Sequence, residues 1–166
     1  MIKKEKYSAA ILVIGDEILS GRTQDTNSNY IAKELEVMGI TTSEIRVIPD
    51  EKNIIINSVN ELRNKNNYLF TTGGIGPTHD DITADSIAEA FGVDLEVNSE
   101  AYDILKKYYK AIGSEFNEVR QRMARIPIGA TLIKNPISAA PGFKIDNVFV
   151  FAGIPKIMKS MLDNSL

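Results

Sequence analysis

Three glycines, a proline, the chain's only histidine and three aspartates fall within the sixteen residues TTGGIGPTHDDITADS, Thr71 to Ser86. Directly before this stretch ends the apolar run YLF. Glycines that follow a strand let the backbone enter the left-handed region and bring its N–H groups close to a ligand. A helix starting just beyond them points its positive end at the same place. Gly73, Gly74, Ile75 and Gly76 are therefore a candidate seat for a phosphate or pyrophosphate. The pattern is neither a G-x-G-x-x-G fingerprint nor a P-loop, because no Gly-Lys-Ser/Thr follows. A plain tight strand-to-helix turn is the competing reading. The ligand reading carries its own expectation: Gly74→Val should block the ligand and leave the fold intact.

Carboxylates are the second chemical signal. Asp16, Glu17, Asp25, Asp50, Asp80, Asp81 and Asp85 all fall just after strand-like runs or at the helix starts that follow them. Single aspartates there read as caps or helix-dipole partners, and Asp25 and Asp50 suit the N-cap position best. Several together beside an anion seat would repel the ligand unless a divalent cation such as Mg²⁺ or Mn²⁺ bridges them. His79, in the same loop, reads as a surface residue in preference to a general acid.

Strands alternate with helices, and this arrangement must position the loops. SAAILVIG, Ser8 to Gly15, is a continuous apolar run that reads as a strand buried on both faces. A helix is expected from about Asp25 to Met38, then a strand in TTSEIRVIP and a helix capped by Asp50 with Ile55, Val59 and Leu62 on one stripe. NYLFTT is the third strand, followed by a helix from about Thr83 to Phe91 closed by Gly92. A helical hairpin is expected next, its arms lined by Leu105, Tyr108 and Ile112 and by Phe116, Val119 and Met123. Tyr102, Tyr108 and Tyr109 read as packing residues, and Arg120, Arg122 and Arg125 as a basic helix end able to meet a phosphate if the hairpin folds over the strand ends. Short strands in ATLIKNP, PGFKI and NVFVFAG precede a last helix opened by Pro155. This order predicts an α/β fold with a mainly parallel sheet covered on both faces. Ligands of such sheets bind outside the carboxyl ends of the strands, where the loops GDEILSGRTQDTN, TTGGIGPTHDD and FAGIPK should gather.

Composition bounds the function. The 166 residues are 43% hydrophobic and 25% charged with a net charge of −3, which suits one soluble domain over residues 1–166. The acidic balance argues against nucleic-acid binding. Cysteine is absent and histidine single, so disulfides, thiolate metal sites and His-rich zinc sites are excluded. No apolar stretch is long enough for a membrane span, and the expected compartment is the cytoplasm.

IGDEILSGRTQDTN, TTGGIGPTHDDITADS, RMARIPIGATLIKNP, APGF and GIPKIM occur in an order and spacing that resemble the molybdopterin-binding-like domain of the CinA family, over residues about 8 to 164. The short, stand-alone bacterial subgroup is most similar; TTGG-x-GP with D-x-T is shared more distantly with MogA and MoaB. The resemblance implies a three-layer α/β/α fold and homo-oligomers. It implies functional aspartates at Asp50 and Asp81, which become the catalytic candidates, and an acidic loop at Gly15, Asp16 and Glu17. The ligand-binding set is then Gly15, Gly73, Gly74, Gly76, Pro77, Thr78 and Gly153, and the metal set Asp16, Glu17, Asp50 and Asp81. In full-length CinA proteins this domain is associated with hydrolysis of ADP-ribose dependent on a divalent metal (Mg²⁺, Mn²⁺ or Co²⁺); the separate deamidase domain has no counterpart in these residues. Two departures stand out: Ser138 and Ala139 in NPISAAPGF, where long relatives have Gly-Thr, and Ile157, where they favour glutamate. The chain also stops at MLDNSL, earlier than expected of a short member, so a truncated C-terminus is an expectation as well.

These residues lead to metal-assisted pyrophosphate hydrolysis of an ADP-ribose-like dinucleotide as the first reading. Molybdopterin binding or adenylyl transfer in molybdenum-cofactor synthesis is the alternative, and a non-catalytic binding or assembly module the third.

Overall fold

In the computed structural model, which describes residues 6–166, the first strand β1 (Ser8–Ile14) runs through the middle of the protein. Its Ala10, Leu12 and Ile14 enter one apolar core and its Ala9, Ile11 and Val13 the other. Burial on both faces is why this strand shows no alternation. One helical turn, α1 (Asp16–Leu19), follows, and then α2 (Asn27–Val37), which buries Ile31 and Leu35. The edge strand β2 (Thr41–Ile48) leads to α3 (Lys52–Lys65), which buries Ile55, Val59 and Leu62 on its expected stripe. The central strand β3 (Tyr68–Thr72) and α4 (Thr83–Phe91) complete the first half. Gly92 ends α4 in the left-handed conformation, φ 63°.

The second half comprises β4 (Leu95–Val97), α5 (Ser99–Ala111), α6 (Glu118–Gln121), a 3-10 turn at Arg122–Ala124, β5 (Arg125–Pro127), β6 (Thr131–Ile133), β7 (Gly142–Ile145), β8 (Val148–Phe151) and α7 (Pro155–Asp163). The six-stranded sheet has the order β2-β1-β3-β8-β7-β6. Its first four strands are mutually parallel and its last two antiparallel, while β4 and β5 form a separate antiparallel pair. Helices α2 and α7 cover one face, and α3, α4 and α5 the other. The result is the expected three-layer α/β/α fold.

Packing between β3 and β8 matters most for the site. Phe70 stacks on Phe149 at 4.8 Å between ring centroids and on Phe151 at 6.1 Å. Phe70 and Phe151 are almost fully buried, each worth about 1.5–3 kcal/mol. This clamp holds the loop after β3 against the loop after β8.

Three expectations need correction. The segment 116–125 is not one helix: α6 is a single turn, Val119 is 52% exposed, and residues 125–127 turn into a strand paired with β4. Phe116 leaves any helical stripe because it packs on Tyr109, stacked at 5.7 Å, and on Tyr102 at 5.1 Å. Those tyrosines are packing residues, as expected. In α5, Leu105 is buried but Ile112 is 55% exposed, so the stripe ends early. Asp50 does not cap α3, whose start is preceded by an extended Glu51 with no side-chain cap. Its carboxylate is used elsewhere.

Candidate functional site

Because β2, β1, β3 and β8 are parallel neighbours, their carboxyl ends bring four loops to one edge of the sheet. The glycines at that edge are fixed by the protein itself. Gly73 has φ 99° and donates its N–H to Phe151 O at 3.1 Å; a Cβ there would stand 2.1 Å from Ile14 O. Gly74 has φ 72°, and its Cβ would lie 2.1 Å from Thr83 Oγ1. That hydroxyl is fully buried and donates to Gly73 O at 3.0 Å, while Thr83 N–H donates to Gly74 O at 3.0 Å. At Gly76 a Cβ would meet Asp81 Oδ2 at 2.7 Å. Gly74→Val therefore strikes the fold directly, and the expectation that it would spare the fold is overturned. The bare backbone still leaves donors: the N–H groups of Gly74, Ile75 and Gly76 reach no protein acceptor among the described residues.

The carboxylates are built into the same loops. Asp50 Oδ2 accepts the N–H of Asp16 at 3.0 Å, and Asp16 Oδ1 accepts the N–H of Asp50 at 3.3 Å, which ties the loop after β2 to the loop after β1. Burial pushes the Asp50 carboxyl above its ordinary value; the Asp16 N–H opposes this, and the charges of Asp16, Glu17 and Asp81 reinforce it. Asp81 Oδ2 accepts from Thr78 N at 2.9 Å and from Thr78 Oγ1 at 2.7 Å, which closes the glycine loop on itself.

Two hollows meet here. An acidic depression of about 290 Å³ is walled by Asp16, Glu17, Asp50, Asp80 and Asp81, with Arg22 at its side. A larger, more apolar cleft of about 430 Å³ runs past Gly73–Pro77, Met123, Gly153 and Ile157. Glu17, Gly74 and Asp81 belong to both.

Most of the sequence candidates thus converge. Asp16, Glu17, Asp50 and Asp81 share the depression, and Gly73, Gly74, Gly76, Pro77 and Gly153 line the cleft. Two candidates do not form walls of either hollow. Gly15 is buried with its N–H on Ile48 O at 3.0 Å, and Thr78 serves Asp81. Asp25 does cap α2, taking the N–H groups of Asn27 and Ser28 at 3.0 and 3.1 Å. Asp85 instead pairs with Arg125, at 3.3 and 3.1 Å. His79 is 91% exposed beside Asp80, which fits a surface residue. Among the described residues, no three acidic or histidine side chains cluster closely enough to hold a metal ion by themselves.

Sequence reasoning misses Asn27 and Thr83. Asn27 is buried and donates to Gly153 O at 2.8 Å, fixing the loop after β8; the polar DTN triplet before a helix is its only sequence signal.

The family described as probable molybdopterin binding domain matches residues 10–166. The chain belongs to that family. A CinA-like protein of Citrifermentans bemidjiense is 37% identical to this molybdopterin-binding-type domain over 161 residues, 95% of the chain and 39% of the relative. A protein of Pyrobaculum arsenaticum is 35% identical over 97% of the chain, which spans 62% of that relative's length. Among solved structures, the CinA protein of Thermoplasma acidophilum superposes with a TM-score of 0.87 at 29% identity, covering 95% of both chains. The tungsten cofactor synthesizing protein MoaB of Pyrococcus furiosus gives 0.60 at 21% identity, covering 96% of this chain and 89% of that one, a likeness of fold.

Proposed function

We propose that this domain binds a phosphorylated, ring-bearing small molecule at the strand ends and hydrolyses the pyrophosphate of an ADP-ribose-like dinucleotide in the cytoplasm. The observation that carries the reading is the meeting of an apolar cleft and an acidic depression at Gly74 and Asp81, beside three unpartnered backbone N–H groups. The apolar part suits a flat ring, the N–H groups suit phosphate oxygens, and the carboxylates suit a water.

The donor set fits a hard divalent cation shared with the ligand. It consists of oxygens only, and the charges of Asp16, Glu17 and Asp81 add to the burial that raises the Asp50 carboxyl. Mg²⁺-type binding uses one or two carboxylates plus ligand phosphates, so such a cation would arrive with the ligand. Asp50 and Asp81, with Asp16 or Glu17, would hold it, and when bound it would supply charge neutralisation to the phosphates. Asp50 and Asp81 orient a water for in-line attack. Its oxygen bonds to one phosphorus, the bridging P–O bond breaks, and the proton passes to a carboxylate. The products are AMP and a sugar phosphate.

One observation favours a second reading, pterin-phosphate binding without hydrolysis. Ile157, where the resemblance leads one to expect a glutamate, lines the cleft and extends its apolar wall. The family's description as a probable molybdopterin binding domain supports this reading. Homo-oligomerisation remains part of the proposal.

The test is incubation with ADP-ribose, with and without Mg²⁺, Mn²⁺ or Co²⁺, following AMP release by chromatography, and a parallel binding titration with molybdopterin. Hydrolysis only with metal, lowered at least ~100-fold (about 2.7 kcal/mol) by Asp81→Asn, supports the first reading. No turnover together with molybdopterin binding supports the second.

A further inference from the structure

Of the three arginines in the segment 120–125, two are committed to the protein. The Arg120 guanidinium donates to Ser114 Oγ at 2.7 Å and to Glu115 O, and stacks over the Tyr109 ring at 4.5 Å. Arg125 forms its two-pronged pair with Asp85. Arg122 differs. Its guanidinium has no hydrogen-bond or ion-pair partner among the described residues; the Nε atoms of Arg122 and Arg125 are both sealed from solvent with no acceptor, but only Arg125 has its terminal nitrogens paired. An arginine nitrogen left so is costly, and its fork of donors is shaped for a planar or tetrahedral oxyanion.

Its location says which oxyanion. Arg122 lines a small recess whose other walls include Ile75, Gly76, Asp81 and Arg125; Ile75, Gly76 and Asp81 also border the cleft, and Asp81 borders the acidic depression as well. It enters from the 3-10 turn after α6, whereas Arg22 lines the depression itself. The next residue, Met123, is a wall of both the recess and the cleft. A phosphate on the N–H groups of residues 74–76 would lie beside Glu17 and Asp81 of the cleft; Arg22 lines the adjoining depression, and of the three arginines in 120–125 only Arg122 is uncommitted to meet it from the cleft side.

We propose that Arg122 is the cationic arm of the site, contacting the phosphate oxygens of a pyrophosphate-bearing ligand seated on residues 74–76. The assignment rests on the phosphate-seat reading above and deepens it: the ligand is a multiply charged phosphate ester or pyrophosphate, not a neutral ring compound. A half-buried guanidinium in such a place binds anions more strongly than an exposed one, because water screens it less.

Calorimetric titration with inorganic pyrophosphate in Mg²⁺ buffer tests this on wild type, Arg122→Gln, Arg122→Lys and Arg120→Gln. Arg122→Gln should weaken binding at least about tenfold, Arg122→Lys should recover part of the loss, and Arg120→Gln should bind like wild type. The salt dependence of binding should be shallower in Arg122→Gln than in wild type. Melting temperatures within about 3 °C of one another would exclude a structural cause. Wild-type-like pyrophosphate binding by Arg122→Gln overturns the assignment and leaves the phosphate seat standing. Equal losses in Arg122→Lys and Arg122→Gln, with lowered melting in both, make Arg122 a structural residue and also overturn it. No pyrophosphate binding by wild type itself removes the phosphate seat, and this assignment with it.

Discussion

Gly74→Ala is the sharpest test of whether the glycine loop is built by its own packing. The added methyl group faces two obstacles. The backbone there has φ 72°, which costs an alanine about 1–2 kcal/mol. The Cβ would stand 2.1 Å from Thr83 Oγ1, so this buried hydroxyl must leave Gly73 O. Stranding a buried donor and acceptor costs about 1–3 kcal/mol. The two terms sum to roughly 2–5 kcal/mol, a fall in melting temperature of about 4–20 °C for a domain of this size. Gly21→Ala is the matched control, since Gly21 has φ 75° with nothing within 4 Å of its Cβ, and only the backbone term remains. The double variant Gly74→Ala/Thr83→Ala removes the obstructing oxygen, so its loss should fall short of the summed single losses by at least about 1 kcal/mol. Calorimetry or urea unfolding measures wild type and the four variants, the single Thr83→Ala included, without any ligand. Equal losses in Gly74→Ala and Gly21→Ala, with strict additivity in the double variant, would refute the steric account and return the glycines to a ligand-only explanation.

Asp50→Asn tests the charge of the depression. The folded protein holds the Asp50 proton more tightly than the unfolded chain, whose value is near the ordinary 3.8. Below that value both states are protonated and nothing is lost; as pH rises through the folded-state value, the ionised carboxylate opposes folding. Asp50→Asn should therefore gain stability over wild type between about pH 4 and pH 7 and gain none near pH 3, and a pH-independent difference would contradict this. Asp85→Asn should cost about 0.2–1 kcal/mol through its half-exposed pair with Arg125 and leave ADP-ribose turnover near wild type, against the large turnover loss in Asp81→Asn; equal turnover losses would reduce both to general helix electrostatics.

The parts of the fold legible in the sequence are those governed by local chemistry. The unbroken apolar run of β1 implied burial on both faces, and the Gly92 stop and the Pro155 start mark real helix ends. The gathering of glycine loops and carboxylates follows from strand polarity alone. What escaped is tertiary. The strand at Arg125–Pro127 exists because Leu95–Val97 is there to pair with it, and a helix-like spacing of Phe116, Val119 and Met123 hides that. Asp50 has the spacing of a cap for the following helix, yet its partner is an N–H 34 residues earlier in the chain. The short α1 has too few residues for any periodicity to register.

Glycines and carboxylates at this edge are one construction. A side chain at Gly76 would occupy the space of the Asp81 carboxylate, and the Cβ of a residue at Gly74 would approach Asp50 Oδ1 to 3.6 Å. The loop is thus bare where the two aspartates reach in. Donors for an anion and acceptors for a cation line the same edge, and the neighbouring acids add to the burial that raises the Asp50 carboxyl, offset in part by the Asp16 N–H. A protein that needed only a tight turn would have no physical reason to accumulate that repulsion, because one capping carboxylate suffices for a helix start. A ligand carrying both phosphate and cation removes it from both sides at once. The electrostatic cost in the free protein therefore becomes binding energy in the complex, and that exchange is the strongest physical argument for a phosphate-bearing ligand here.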